Sequence, residues 1–375
     1  MPGIYRTTLA FQGNWTLRGT EFAENTILLP KEKEKVIVDE FGNRANPENV
    51  ALLTVERGST LRLENLTLQD DFVPITLDES NLPPDEGIGT QAYSQLYARV
   101  ATGVIVKENA RLVADNVRFL NWLLSALSVA GYGEAVVQNS EFFCPSNVLI
   151  EPGLFIEGKA SFTQSLFDHC LVDSLALFGQ LEFSESEFRS AGISGGETLT
   201  VTKSLFRDPF IFGPHADFTR NTFLQISPAA KTTLIDNTFE ISDKFLKYGD
   251  ILKYKNTRTF EALPVFGYLT AINNVFRGFS VALNLFNLSH GNVNVQLVQN
   301  TFEHNQTALF FIGLGPYILE ENRFIDNEEC AIVFVLAFRT DSLQLQGKDN
   351  EFQGNAQDIC PADFPLPEGF VKQTM

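Results

Sequence analysis

Along most of the chain, polar and apolar positions repeat in one short string, x-[Asn/Ser]-x-Phe. It appears as QNSEF, TQSLF, SESEF, TKSLF, TRNTF, IDNTF, INNVF, VQNTF, EENRF and KDNEF. The anchors are Phe142, Phe167, Phe188, Phe206, Phe223, Phe239, Phe276, Phe302, Phe324 and Phe352. Phe119 in DNVRF, Leu68 in ENLTL and Phe22 in RGTEF join them, making 13 copies. A repeat at this spacing is the signature of a stacked architecture.

The columns around each anchor predict the local structure. Seven and five residues before it the positions are apolar, as at Leu269 and Ala271 or Val295 and Leu297. Two before it stand Ser140, Ser165, Ser186, Ser204, Asn221, Asn237, Asn274, Asn300, Asn322 and Asn350. Three before it every residue is polar, from Asn139 to Asp349. Positions −7 and −5 share a face, as do −2 and the anchor, which is the two-residue period of strands. The odd step between −5 and −2 demands a corner. A third apolar run follows several anchors, as in SVALNLF, QTALFFI and CAIVFVL. Three short strands per coil predict an all-β solenoid of about 13 or more coils, because a single coil cannot bury its own inner face. The inward Asn and Ser predict a hydrogen-bonded ladder between coils, with stacked Phe rings beside it.

In these columns, and in the opening WTLRGTEF…TILL…ALLTVERGSTLRLENLTL, the chain resembles the right-handed parallel β-helix repeat proteins of the pectin-lyase-like fold. The resemblance covers about residues 14–356. It implies a single β-helix domain over 1–375. It also implies that an active member would be a polysaccharide lyase, hydrolase or epimerase, with charged residues on an outward sheet face and loops walling a groove. The Asp-pair and GHG-type signatures of the hydrolases are not evident, nor is a lyase-type calcium cluster.

Three stretches break the rhythm. Insertions are expected at about 69–100, containing DESNLPPDEGIGTQAYSQ, and at 241–262, containing KFLKYGDILKYKNTRTF. Between Phe22 and Leu68 lie PKEKEK and GNRANPEN. The Pro-rich tail 357–375 is expected to wrap the last coil or fray.

Composition narrows the partners. There are 34 Phe against 8 Tyr and 2 Trp, consistent with one slot filled many times. The net charge of −18 argues against nucleic acid. No apolar run approaches a membrane span. The N-terminus lacks the apolar core of a signal peptide. That leaves the chain cytosolic or its leader removed, with an extracellular or cell-surface place favoured in the second case.

Candidate chemistry is sparse. The outward −3 column reads Glu185, Lys203, Arg220, Asp236 in neighbouring copies, with Glu187, Arg189, Arg207 and Glu240 flanking the anchors. A β-elimination site would use Lys203 or Arg220 as base, and a cation, calcium for instance, held by Glu185 or Asp236. The competing reading, a solvated ladder of opposite charges, is preferred, and no metal site is expected. Lys247, Lys253, Tyr254, Lys255 and Arg258 form a basic cluster that could grip an anionic glycan or an acidic neighbour. His169 beside Cys170 is read as packing or surface, not as a ligand pair. Cys144 and Cys170, and Cys330 and Cys360, fall in consecutive coils. Free thiols are favoured for the first pair, with no preference for the second. Sequons occur at Asn14, Asn65, Asn287 and Asn305.

The expectation drawn from this regularity is a non-enzymatic surface or structural β-helix that binds glycan or protein or self-assembles. The alternative is a carbohydrate-active enzyme on anionic polysaccharide, lyase-like in its chemistry.

Overall fold

A computed structural model describes residues 2–30, 51–70, 102–122, 125–144, 153–174, 179–189, 191–195, 197–207, 231–240, 261–265, 268–287, 294–313, 315–335 and 344–372. The strands pair in parallel with their counterparts one coil away, and the chain is a right-handed parallel β-helix. It divides into two compact units, residues 1–181 with 191–196 and 212–216, and residues 182–190 with 197–211 and 217–375.

In the first unit the predicted columns are register neighbours. Leu61 pairs with Leu112, Leu112 with Ala135 and Ala135 with Ala160. The anchors follow in the order Leu68, Phe119, Phe142, Phe167. Strands Thr60–Gln69 and Arg111–Leu120 run straight through the corner, bending at Asn65 and Asn116 with φ of 53° at both. A seven-stranded sheet closes the coils, with Leu53, Val104, Leu127 and Leu154 in one fully buried column. The Phe rings stack at 4.5 Å for Phe119–Phe142 and 5.0 Å for Phe142–Phe167.

The RGTEF copy does not join this column. Leu28 in strand Thr26–Pro30 pairs with Leu68, and Phe22 is 55% exposed. A 3-10 turn at Ala23–Asn25 shifts the register here. The chain passes so close to the Asn65 carbonyl at Gly19 that a Cβ there would stand 1.8 Å from its oxygen.

In the second unit the anchors run Phe188, Phe206, Phe239, Phe276, Phe302, Phe324, Phe352. Their centroids are 4.3–5.2 Å apart and their planes nearly parallel. Phe206 pairs directly with Phe239, and the TRNTF copy at Phe223 falls between them in sequence. That copy, with Arg220 and Asn221, lies outside the described residues. A five-stranded sheet stacks Leu263, Leu283, Leu309, Ile332 and Ile359. The tail docks. Phe364 stacks on Phe334 at 3.9 Å, Phe370 is 1% exposed, and Asn350 bridges to Val371.

The ladder takes two chemical forms. In the serine rungs the hydroxyl donates to the carbonyl two residues earlier, as Ser204 does to Thr202 at 3.0 Å. Its oxygen accepts the backbone N–H of the preceding rung, as Ser204 does from Ser186 at 3.2 Å. In the asparagine rungs Oδ1 accepts both the N–H and the Nδ2–H of the preceding Asn. Asn300 takes 2.9 Å bonds of both kinds from Asn274.

Both cysteine pairs are disulfides, Cys144–Cys170 with Cα atoms 5.1 Å apart and Cys330–Cys360 with 6.3 Å. This corrects the expectation of free thiols at the first pair. Consecutive coils bring the two α-carbons within bridging range. Gly153 leaves the space, since a Cβ on it would meet the Cys144 sulfur at 2.2 Å.

Candidate functional site

The −3 residues are corners before they are chemistry. Glu185, Lys203 and Asp236 have φ of 51°, 49° and 55°, in the left-handed region, and all three are exposed. The same holds from Asn139 to Asp349. A sharp turn between two strands requires this conformation, and short polar side chains tolerate it best. The polarity of the column thus reflects backbone geometry as well as solvent. A second left-handed corner lies two residues past the anchor, at Asn121, His169, His304 and Asp326. His169 and His304 are therefore turn residues; the Nδ1 of His169 lies against the Asp168 carboxylate.

The charged groups that do converge flank the anchors in the second unit. Arg189 forks onto Glu187 at 2.8 and 3.0 Å. Arg207 reaches Glu187 at 3.5 Å on one side and Glu240 at 3.1 Å on the other. Arg277 lies 3.8 Å from Glu240 and also pairs with Glu303. Arg189 and Arg207 are register neighbours, as are Arg207 and Glu240, and Glu240 and Arg277. The arginine side chains are about half exposed, 47–51%, while the glutamates are 19–29% exposed. The guanidiniums thus form the outer surface of the row. The hydrogen bond from Arg189 holds the Glu187 carboxyl below the usual carboxylate range, against a smaller opposing effect of burial.

Of the sequence candidates, the structure sets Lys203 and Asp236 on consecutive corners and keeps Glu185 on the corner before them. Arg220, Lys247, Lys253, Tyr254, Lys255 and Arg258 lie outside the described residues, as do residues 71–100 of the insertion expected at about 69–100 and residues 241–260 of the one expected at 241–262. A strand begins at Glu261. Among the described residues no cluster of three His, Cys, Asp or Glu is placed to hold a metal ion. No described helix is long and apolar enough to cross a membrane. Asn305, one of the sequons, is fully buried, and its Nδ2 donates to Phe276 and Asn327.

No protein-family model matches the chain, and no curated protein does. Solved structures do. Pectin methylesterase from Erwinia chrysanthemi matches at 14% identity over 64% of this chain and 69% of its own, with a TM-score of 0.37. The catalytic unit of the GH87 α-1,3-glucanase from Streptomyces thermodiastaticus matches at 12% identity, over 98% of this chain and 65% of that one, with a TM-score of 0.44. The family 28 exopolygalacturonase of Yersinia enterocolitica matches at 9% identity, over 97% and 72%, with a TM-score of 0.36. These neighbours are carbohydrate-active enzymes, and they correct the expectation of a non-enzymatic surface or structural rod. That expectation rested on the absence of a catalytic signature and on coil regularity, which reflects packing and is silent on activity.

Proposed function

We propose that this chain, which has the pectin-lyase-like right-handed parallel β-helix fold, is a carbohydrate-active enzyme working on an anionic polysaccharide. The observation that carries the reading is the outward row of Arg189, Arg207 and Arg277. On a protein of net charge −18, this row sets half-exposed guanidiniums on three of four successive strands, with Glu240 between Arg207 and Arg277. A guanidinium stays protonated at all working pH values and matches a carboxylate with two parallel donors. Carboxylates of a uronate polymer can therefore exchange with Glu187, Glu240 and Glu303 along the row. In the sequence, the basic cluster begins at Lys244, four residues beyond Glu240.

Lyase-type β-elimination is the reaction class this favours. Neutralising a uronate carboxylate acidifies the proton beside it; a positioned base removes that proton, its electron pair forms the C=C bond as the glycosidic bond to the β-carbon breaks, and the leaving oxygen takes up a proton from the protonated base or water. An arginine held between carboxylates supplies the neutralisation and not the base. Lys203, exposed at the neighbouring corner, is the described candidate for the base.

The test is turnover of polygalacturonate and alginate, read by the ultraviolet absorbance of the unsaturated uronate product, with and without calcium. The paired change Arg207→Ala and Arg277→Ala is expected to lower kcat/KM at least about tenfold, a loss of ~1.4 kcal/mol. Salt should mimic part of that loss. Lys203→Ala should lower kcat with little change in KM. Absence of both turnover and binding at low ionic strength would remove the proposal.

A further inference from the structure

One aromatic side chain stands where the backbone disfavours it. In the first unit, three successive coils turn from the seven-stranded sheet into the strands Thr60–Gln69, Arg111–Leu120 and Glu134–Gln138. Each corner is a four-residue turn closed by a backbone hydrogen bond, from Ser59 to Glu56, Ala110 to Lys107 and Gly133 to Ala130. The third residue of each turn has a left-handed φ, 71° at Gly58, 54° at Asn109 and 60° at Tyr132. Turns favour Gly or Asn at such a position, and a bulky side chain there is strained. Apart from glycine, the other described residues in this region are Asn, Asp, Gln, Glu, Lys or His. Tyr132 is also the most exposed large apolar side chain among the described residues, at 81%. Burial therefore does not offset the strain, and strain without a packing return points to function. The turn itself is fixed in place. The Asn109 N–H donates to the Tyr132 carbonyl at 3.2 Å, and the Glu134 N–H to the Ala110 carbonyl at 2.9 Å.

We propose that Tyr132 is a stacking platform for one pyranose ring of a polysaccharide, carried on a rigid corner. The negative face of an aromatic ring accepts the polarised C–H groups of a sugar, and the hydroxyls at the sugar's rim need polar partners. Such partners flank the ring. Glu108 and Asn109 are exposed on the coil to one side, and Arg57, one coil further, lies 4.0 Å from Glu108. Lys159 is exposed on the coil to the other side, the register neighbour of Glu134. A Cβ built on Gly131 would meet no atom within 4 Å, so the surface beside the ring is open. A protein partner fits less well. It would need a contiguous apolar centre and about 1,000 Å² of buried area. None of the other exposed large apolar side chains described falls within residues 51–144. The inference rests on the reading of the chain as a polysaccharide-directed protein, and not on the arginine row of the second unit.

Affinity electrophoresis of the full chain tests it, in native gels carrying polygalacturonate, alginate or laminarin, a soluble neutral glucan. At least one polymer should retard the wild type. Tyr132→Asn should raise the apparent dissociation constant about fivefold or more, as loss of an aromatic anchor does. Tyr132→Trp should keep binding within about twofold, because the platform is retained. The same Tyr132→Asn should raise the urea midpoint, since Asn109 already occupies this turn position one coil away. Retardation by laminarin that persists in added salt supports stacking on a neutral pyranose, and retardation by the uronate polymers alone supports stacking on a uronate. No retardation by any polymer overturns the proposal. So does retardation that Tyr132→Asn leaves unchanged, or a loss of stability in that variant. If uronate turnover fails while Tyr132-dependent retardation remains, the catalytic reading falls and this one stands. Turnover with retardation indifferent to Tyr132 has the opposite meaning.

Discussion

Asn300 accepts two hydrogen bonds from Asn274 and donates to the carbonyl of Ala271 and to Oδ1 of Asn322. It is completely buried, so none of these bonds can be replaced by water. Replacing it by Leu strands two donors of Asn274 and the Ala271 carbonyl, at about 1–3 kcal/mol for each unsatisfied group. Asn300→Ser should cost less, because Ser204 already shows that a hydroxyl accepts the rung below. Urea unfolding of the two variants checks this. Asn300→Leu should lose about 3 kcal/mol or more and Asn300→Ser roughly 1 kcal/mol, and equal losses would defeat the ladder argument. This column was legible because its chemistry repeats at a fixed offset. A second ladder, Asn305–Asn327–Asn355, was missed. Its signal was present as FEHN, FIDN and FQGN, three residues past three anchors, but it spans too few coils to stand out. The −3 column was legible only in part. Its charges invite a chemical explanation, while the left-handed φ that selects polar residues there is invisible in a sequence.

Between neighbouring strands, the row from Arg189 to Glu303 joins backbone register to side-chain charge. Glu187 carries the clearest electrostatic mark, a carboxyl kept ionised by Arg189 and assisted by Arg207. Because its folded pKa lies below the unfolded value of 4.5, it stabilises the native state fully above that pH. The contribution drains away as pH falls through the lowered folded value. Exposure and screening keep it small, about 0.5 kcal/mol or less. Denaturant midpoints of wild type and Glu187→Gln should therefore differ slightly near pH 7 and converge in acid; a gap that widens in acid would contradict the pairing. A matching string need not be a rung. RGTEF satisfies the local pattern, yet register is decided by which strand completes the hydrogen-bond ladder, and a three-residue turn displaces this copy.

For the molecule as a whole, the fold was legible because most residues serve one repeating purpose, whereas activity was not, because a repeat that encodes packing is silent on chemistry. Stacking also has a hazard. Every coil presents the next with unpaired N–H and C=O groups and a half-filled amide ladder, which is a template for further strands. At one end this template is closed by the chain's own tail. Asn350 Nδ2 donates to the Phe370 carbonyl at 3.1 Å, and the N–H groups of Asp349 and Asn350 donate to Gly369 and Phe370. The Cys330–Cys360 bridge anchors the start of that tail. The segment thus occupies the edge that a further strand would use. A chain ending at Cys360 should remain folded by circular dichroism yet add to itself end on. Light scattering and dye binding would then report filaments that lengthen with time and stop when capped by a stoichiometric amount of a peptide covering 361–372. A truncated chain that stays monomeric would mean the tail only stabilises the last coil. If it is a terminator, the stack past Asn350 is stopped chemically by residues 361–372, like a polymerisation quenched by a chain stopper, and a fibre is what the same sequence rules would build without them.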